Sequence, residues 1–260
     1  MRIFILCALL TLSTSVIFAE SIDEIIGEGV KYLDDSEYDK SLPLFKKALE
    51  LEPENALVHY YIGRNYQYMW NFDNALEHLD KARKLDPKHA DSHCYYGYSL
   101  ASKGDELKQQ GGLNKVKGYK MQMSAKGPMD EALKLDPKNA CANTGLARAD
   151  IFFRKWEEAE KKCLTALESD PDRTTAMIYL GWTYFAMKKD SEADIWLQKA
   201  GKLYPEAEVW GNYTIGDIYA DYGYWENALS FVEKAIKLEP DYEGGKGIKR
   251  LEQIKKHVNK

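Results

Sequence analysis

The sequence ARKLDP, residues 82–87, decides the fold, because close variants of it recur along the chain. The variants are ALELEP ending at Pro53, ALKLDP at Pro137, ALESDP at Pro171, AGKLYP at Pro205 and AIKLEP at Pro240. Three of the five steps between the prolines are 34 residues, the last is 35, and the step from Pro87 to Pro137 is 50. A near-constant period of this length indicates stacked copies of one supersecondary unit.

A second pattern, of small residues, lies upstream of these prolines. A glycine is followed three positions later by tyrosine at Gly29 and Tyr32, Gly63 and Tyr66, Gly181 and Tyr184, and Gly216 and Tyr219. The third repeat has Gly97 with Leu100, and the fourth has Ala147 with Asp150. Small pairs follow at Ser41 and Ala48, Ala75 and Ala82, Ala125 and Ala132, Ala159 and Ala166, Ala193 and Ala200, and Ala228 and Ala235. Glycine costs about 1 kcal/mol inside a helix, so its recurrence indicates that two helices must approach closely there.

Together these residues resemble the tetratricopeptide repeat family, whose pattern is W-x2-L-G-x2-Y, then A-x3-F, then A and P. The resemblance runs from about Ile22 to Pro240. It implies an all-α, right-handed superhelical solenoid of stacked helix-turn-helix hairpins, with six repeats in residues 20–241. Each proline ends one unit because it cannot continue the preceding helix.

Residues 242–260 are expected to form a C-terminal capping helix. Gly244 and Gly245 break the chain first, and Ile248, Leu251, Ile254 and Val258 then share one helix face. Burial of that face against the sixth repeat would give the array a polar end.

The 50-residue step adds 16 residues to the period, within about 105–126 of the third repeat. Gly111 and Gly112 mark a turn, so we expect an extended hairpin that adds about two turns to each helix. Gly127 and Pro128 should then interrupt the second helix. The segment carries Lys108, Lys115, Lys117, Lys120 and Lys126. These lysines fit either a solvated face or a surface for an anionic partner or a membrane.

The first 19 residues have the form of a secretory signal peptide. A basic start at Arg2 precedes an apolar run from Ile3 to Leu12, and a small residue, Ala19, stands before Glu20. We therefore expect cleavage near Ala19 and a periplasmic or secreted product. The formal charge of −5 becomes −6 without Arg2, which disfavours nucleic acid as a partner. No other segment reaches transmembrane length.

The cysteines left after such cleavage are Cys94, Cys141 and Cys163. Their spacing supports neither a redox motif nor a thiolate zinc site. Burial as small hydrophobic residues is the favoured interpretation, and one disulfide with one free thiol is the alternative.

Catalytic chemistry finds little support in the sequence. It has no G-x-S-x-G, phosphate-binding glycine loop or H-E-x-x-H, so we expect a protein that is not an enzyme and uses no cofactor. The best metal candidate is His89 with His93, beside Cys94. His93 occupies the same place in its repeat as His59, so we interpret it as a packing residue.

The resemblance implies a ligand site on the concave face, where the first helix of each repeat usually contacts extended peptides. We expect the positions that carry over to be surplus to packing, and they are Tyr60, Arg64, Gln67, Tyr68, Tyr98, Arg148, Phe152, Trp182, Phe185, Trp210 and Tyr213. Aromatic residues and arginine are enriched at binding hot spots, and Arg64 and Arg148 could each grip a carboxylate.

Two functions remain open from the sequence. The favoured one is an exported scaffold that binds a protein or peptide in its concave groove. The alternative is a periplasmic receptor component of a solute-uptake system, in which the aromatic groove closes around a small apolar molecule.

Overall fold

The computed structural model describes residues 21–203 and 209–259, and these ranges contain helices and no β-strand. The predicted signal peptide, residues 1–19, lies outside the described residues, as does the repeat proline Pro205. The chain divides into two compact units at Pro53. In the first, α1 (Ile22–Asp34) packs against α2 (Tyr38–Leu51) as one hairpin.

The second unit, from Glu54 onward, is a stack of helical hairpins. Its helices are α3 (Ala56–Tyr68), α4 (Phe72–Leu85), α5 (Ala90–Gln109), α6 (Gly112–Ser124), α7 (Lys126–Leu135), α8 (Ala140–Phe152), α9 (Trp156–Ser169), α10 (Thr174–Ala186), α11 (Asp190–Leu203), α12 (Val209–Asp221), α13 (Trp225–Leu238) and α14 (Tyr242–Val258). The pairs are α3 with α4, α5 with α6 and α7, α8 with α9, α10 with α11, and α12 with α13. The predicted all-α solenoid class is confirmed.

Repeat glycines let the two helices of a hairpin touch. A Cβ added at Gly63 would lie 2.5 Å from Leu79 Cγ, and one at Gly181 would lie 2.6 Å from Leu197 Cγ. Leu79 and Leu197 are themselves fully buried. Any larger residue at these glycines would therefore push the second helix away from the first.

Side chains just after the repeat prolines start several of the first helices. Asn55 accepts a hydrogen bond from the Val58 amide at 3.0 Å, and Asn139 accepts one from the Ala142 amide at 2.9 Å. His89 does the same through Nδ1, at 3.3 Å from the Ser92 amide nitrogen. Such caps satisfy amide groups that have no partner within the helix, so each repeat begins at a defined residue.

The turn inside each hairpin explains why the third repeat is longer. In the other repeats this turn contains a residue with φ between +58° and +84°, namely Ser36, Trp70, Arg154, Lys188 and Gly223. In the third repeat the chain stays helical, so α5 has 20 residues where α3 has 13. The turn comes instead at Gly111 and Gly112, both with positive φ.

The second helix of the third repeat is broken into α6 and α7. The break lies at Ala125, two residues before the predicted Gly127-Pro128. Pro128 is accommodated in the first turn of α7, where a missing amide hydrogen costs little.

The apolar face of α14 differs from the predicted one. Ile254 is fully buried, and Leu251 and Val258 pack against the core, but Ile248 is 41% exposed and its predicted burial is wrong. Tyr242 and Gly247 occupy the interface instead, and a Cβ on Gly247 would collide with Ile236.

Candidate partner-binding face

The candidate site centres on Arg64, which projects from α3 among tyrosine rings. Its guanidinium carbon lies 5.7 Å from the ring centroids of Tyr60 and Tyr68 and 5.0 Å from that of Tyr95. Arg64 Nη2 donates to the Tyr68 hydroxyl at 3.4 Å, whereas Nε is buried without a hydrogen-bond partner. Within residues 21–203 and 209–259, Arg64 forms no ion pair with a carboxylate.

A second cation, Arg173, approaches the same tyrosines from the turn before α10. Its Nε donates to Thr144 Oγ1 at 2.9 Å, and its Nη1 lies 3.5 Å from Asp170 Oδ2. We call Arg64, Arg173, Tyr60, Tyr68 and Tyr95 the arginine–tyrosine cluster.

Burial and the two arginines shift the pKa values of Tyr95 and Tyr60 in opposite directions. Burial by itself would raise the pKa of Tyr95, but Arg64, Arg173 and a hydrogen bond from Tyr68 outweigh it and lower that pKa. The pKa of Tyr60 is raised well above its ordinary value, chiefly by burial. Burial would also lower the pKa of Arg64, but the neighbouring tyrosines raise it, so the guanidinium remains charged at neutral pH.

All members of the cluster except Tyr68 line a polar cavity of about 310 Å³. Asp91, Asp136 and Asp170 also line it, but each is occupied. Asn139 Nδ2 donates to Asp91 Oδ1 at 2.7 Å, the Lys138 amide donates to Asp136 Oδ1 at 3.0 Å, and Asp170 lies beside Arg173. The carboxylates therefore order the surrounding turns rather than neutralise Arg64.

A disulfide joins α5 to α8 at the edge of this cavity. Cys94 and Cys141 are bonded, with 6.1 Å between their Cα atoms, and Cys141 lines the cavity. The favoured interpretation of these cysteines as small hydrophobic residues is wrong for this pair, although both side chains are buried. Cys163 is a free, buried thiol, and burial raises its pKa to about 12.

Arg148 carries a different partner from the one expected. It forms an ion pair with Asp105, in the extended part of α5. Asp105 also accepts from Gln122 Nε2 at 2.6 Å and lies 2.9 Å from Lys108 Nζ. Burial would raise the pKa of Asp105, but Arg148 and Lys108 outweigh it and lower that pKa. Arg148 thus holds the inserted hairpin to α8.

Three predicted site residues serve packing, which corrects the expectation that they are surplus to it. Phe185 is 2% exposed and stacks on Tyr222 with 5.0 Å between ring centroids. Gln67 is buried and accepts a hydrogen bond from the buried Ser99 hydroxyl at 3.0 Å. Tyr60 is only 4% exposed, although it also lines the cavity.

The remaining predicted positions differ in their exposure. Trp182, Trp210, Tyr98 and Tyr213 are partly buried against core clusters, whereas Phe152 is 72% exposed. Tyr213 also borders a shallower depression of about 400 Å³ beside α14, in which Arg250 pairs with aspartates of α12. Of the predicted set, only Tyr60 and Arg64 line the cavity beside the arginine–tyrosine cluster, and Tyr68 contacts Arg64.

Sequence reasoning missed Tyr95 and Arg173. Arg173 stands two residues after Pro171, the place that Asn55, His89 and Asn139 fill in other repeats. The sequence could have indicated Arg173, because a cation stands there in place of the helix-capping acceptor of the other repeats.

The candidate lysines divide into two groups. Lys108 pairs with Asp105 and donates to Gln122 Oε1 at 3.0 Å, and Lys126 pairs with Asp130. Lys115, Lys117 and Lys120 are exposed on α6.

The histidines proposed and discounted as metal ligands have structural contacts. His89 caps α5, and His93 Nε2 lies 3.0 Å from the carbonyl oxygen of Pro87. No group of three or more potential metal ligands occurs within the described ranges. None of the helices in those ranges has the length and apolar character needed to cross a bilayer.

Comparison with known proteins supports the repeat assignment. Two family models, both for the tetratricopeptide repeat, match residues 56–89 and 211–242. No curated protein matches the chain.

Solved structures show the same fold at low sequence identity. PilW, a widely conserved type IV pilus biogenesis factor, has a TM-score of 0.56 at 18% identity, over 84% of this chain and 94% of PilW. A tetratricopeptide repeat protein from Parabacteroides merdae gives 0.57 at 15%, over 92% and 84% of the two chains. PilF from Pseudomonas aeruginosa gives 0.53 at 16%, over 88% and 96%. With its repeat period, its stacked hairpins and the two matched repeats, this chain belongs to the tetratricopeptide repeat family.

Proposed function

We propose that the chain is an exported interaction scaffold that binds a partner protein or peptide through an acidic group held by Arg64 and Arg173. The observation that carries this proposal is Arg64, a charged side chain that lines the polar cavity and forms no ion pair with a carboxylate within the described residues. A guanidinium forms its strongest hydrogen bonds with a carboxylate, so a cavity lined by an arginine that has no such partner suits an acidic group.

The surrounding tyrosines fit the same role. Arginine and tyrosine are enriched at binding hot spots, where rigid rings exclude water from a charged hydrogen bond. A carboxylate can accept two parallel hydrogen bonds from a guanidinium, which fixes its orientation as well as its position. An Asp or Glu side chain, or the C-terminal carboxylate of a peptide, has the required chemistry.

The disulfide supports export. Disulfides persist in oxidising compartments and are rare in the cytosol of most organisms, so Cys94 bonded to Cys141 agrees with the apolar start of the sequence. N-terminal sequencing of protein isolated from its source should give a chain that begins near Glu20. An N-terminal Met1 in protein from the secreted or envelope fraction would contradict this part of the proposal.

The alternative, a receptor for a small apolar molecule, has weaker support. The two cavities described above are lined mainly by charged and hydroxyl-bearing side chains. They suit an acidic group on a larger partner better than an apolar ligand. The similarity to PilW and PilF concerns the fold alone, so we assign this chain no role in pili.

The test compares two arginines. Partners are captured from an envelope extract with the parent protein, and the affinity of the captured protein is then measured for the variants Arg64→Gln and Arg154→Gln. Arg154 is an exposed arginine in the turn after α8 and serves as the matched control. Loss of the Arg64 contact should weaken binding by about 2 kcal/mol, roughly thirtyfold in Kd.

Circular dichroism and a melting curve establish that both variants are folded. Equal affinity of the parent and Arg64→Gln proteins would refute the proposed site. A captured small molecule in native mass spectrometry, with no bound protein, would favour the receptor alternative.

A further inference from the structure

One face of α6 exposes a row of apolar side chains. Leu113 is 82% exposed, Val116 54%, Tyr119 45% and Met123 78%. They follow one another at steps of three, three and four residues, which places them along one side of the helix. Single exposed apolar residues are ordinary, whereas a continuous row indicates a surface that contacts something else. We call these four residues the apolar row.

The opposite side of α6 is fastened to α5, so the row cannot turn inward. Gly118 is buried, and a Cβ added at the facing Gly104 would lie 2.7 Å from the Gly118 carbonyl oxygen. Lys108 Nζ on α5 donates to Gln122 Oε1 on α6 at 3.0 Å, and Gln122 in turn donates to Asp105. The direction in which α6 faces is therefore set by its own hairpin.

Three lysines of α6 lie beside the apolar row. Lys115, Lys117 and Lys120 are exposed, and none of them forms an ion pair within the described residues. Residues 112–124 contain no Asp or Glu, although the whole chain carries a formal charge of −5. The helix is thus a basic, apolar patch on an acidic protein.

We propose that α6 binds the surface of an anionic lipid bilayer, with the apolar row in the headgroup region and the three lysines on lipid phosphates. A helix with an apolar face and lysine flanks is the form that lies in a membrane interface. Charge complementarity favours lipid over a second copy of the chain, because two α6 helices packed face to face would bring their lysines together. This proposal is independent of the arginine–tyrosine cluster.

The test is sedimentation of the full chain with lipid vesicles. The parent protein should bind vesicles that contain phosphatidylglycerol and should stay in the supernatant with pure phosphatidylcholine. Neutralising Lys115, Lys117 and Lys120 to Gln should weaken binding by about fivefold for each lysine. Raising the ionic strength should weaken the parent in the same direction, because salt screens exposed charges.

The apolar contribution is tested with Leu113→Ser combined with Met123→Ser. The matched control is Ile195→Ser, because Ile195 is an isoleucine on α11 that is 63% exposed. The double variant should lose most binding to phosphatidylglycerol vesicles, and the control should bind as the parent does. All these positions are exposed, so melting curves should stay unchanged.

Three results would overturn the proposal. They are binding of the parent to neither vesicle, equal binding of the parent to both vesicle compositions, and a loss of binding by Ile195→Ser as large as that of the Leu113→Ser, Met123→Ser variant. A second copy of the chain would be the occupant instead if light scattering showed that the parent self-associates at high concentration and binds no vesicles. In that case the double variant should no longer self-associate.

Discussion

Removing the disulfide should destabilise the second unit strongly. Cys94 and Cys141 are 47 residues apart in sequence, and they enclose most of α5, all of α6 and α7, and the start of α8. Cross-linking a loop of that length removes unfolded-state entropy worth about 4 kcal/mol at 25 °C. For a chain of this size the loss corresponds to a melting temperature lower by about 8–16 °C.

The assay compares the thermal melts of two variants. The first carries both Cys94→Ala and Cys141→Ala, and the second carries Cys163→Ala alone. Cys163 is also fully buried but has no disulfide, so its variant measures the cost of lost packing alone. A thiol titration of the denatured protein starting at Glu20 should detect one free thiol before reduction and three after it. Equal melting temperatures for the two proteins, or three thiols before reduction, would refute the reasoning.

Three further perturbations test the packing. Gly118→Ala should lower the free energy of unfolding in denaturant by about 1–3 kcal/mol, because the added Cβ would meet a backbone carbonyl oxygen of α5. The control Gly127→Ala has open space around it and should leave that free energy unchanged or raise it by up to about 1 kcal/mol. Ile254→Ala should lower the free energy of unfolding by about 2–4 kcal/mol and Ile248→Ala by much less, since only Ile254 is fully buried. Equal melting curves for the two variants would mean that α14 does not pack against the hairpin before it. Asp105→Asn should lower the melting temperature near pH 7. Because folding lowers the pKa of Asp105, this difference should vanish as the pH falls from about 4 through the folded pKa, and a difference that persists in acid would contradict the ion-pair explanation.

The sequence predicted the hairpins because their packing rule is local. Gly63 and Gly181 need a small residue wherever two helices cross, and that need is visible in any single repeat. The face of α14 was harder to predict. Gly244 and Gly245 take positive φ inside its first turn, so the helix meets the core through Gly247 and leaves Ile248 toward solvent.

The site could be predicted only in part, because it depends on contacts between repeats. Repeat position alone places Phe185 beside the groove, but Tyr222 in the next hairpin stacks on it and makes it core. Arg148 looked free to bind a ligand until the extended α5 brought Asp105 to it. Of the three possible pairings among three cysteines, no spacing rule could select Cys94 with Cys141.

The position of the disulfide also has a mechanical consequence. If the second unit is pulled at its ends, tension passes from Cys94 to Cys141 through the covalent bond and bypasses α6 and α7. The bypassed chain would otherwise add roughly 160 Å of extended length when it unfolds. The hairpin that carries the apolar row would therefore remain folded under a load that unravels the repeats on either side, until a reductant opens the bond.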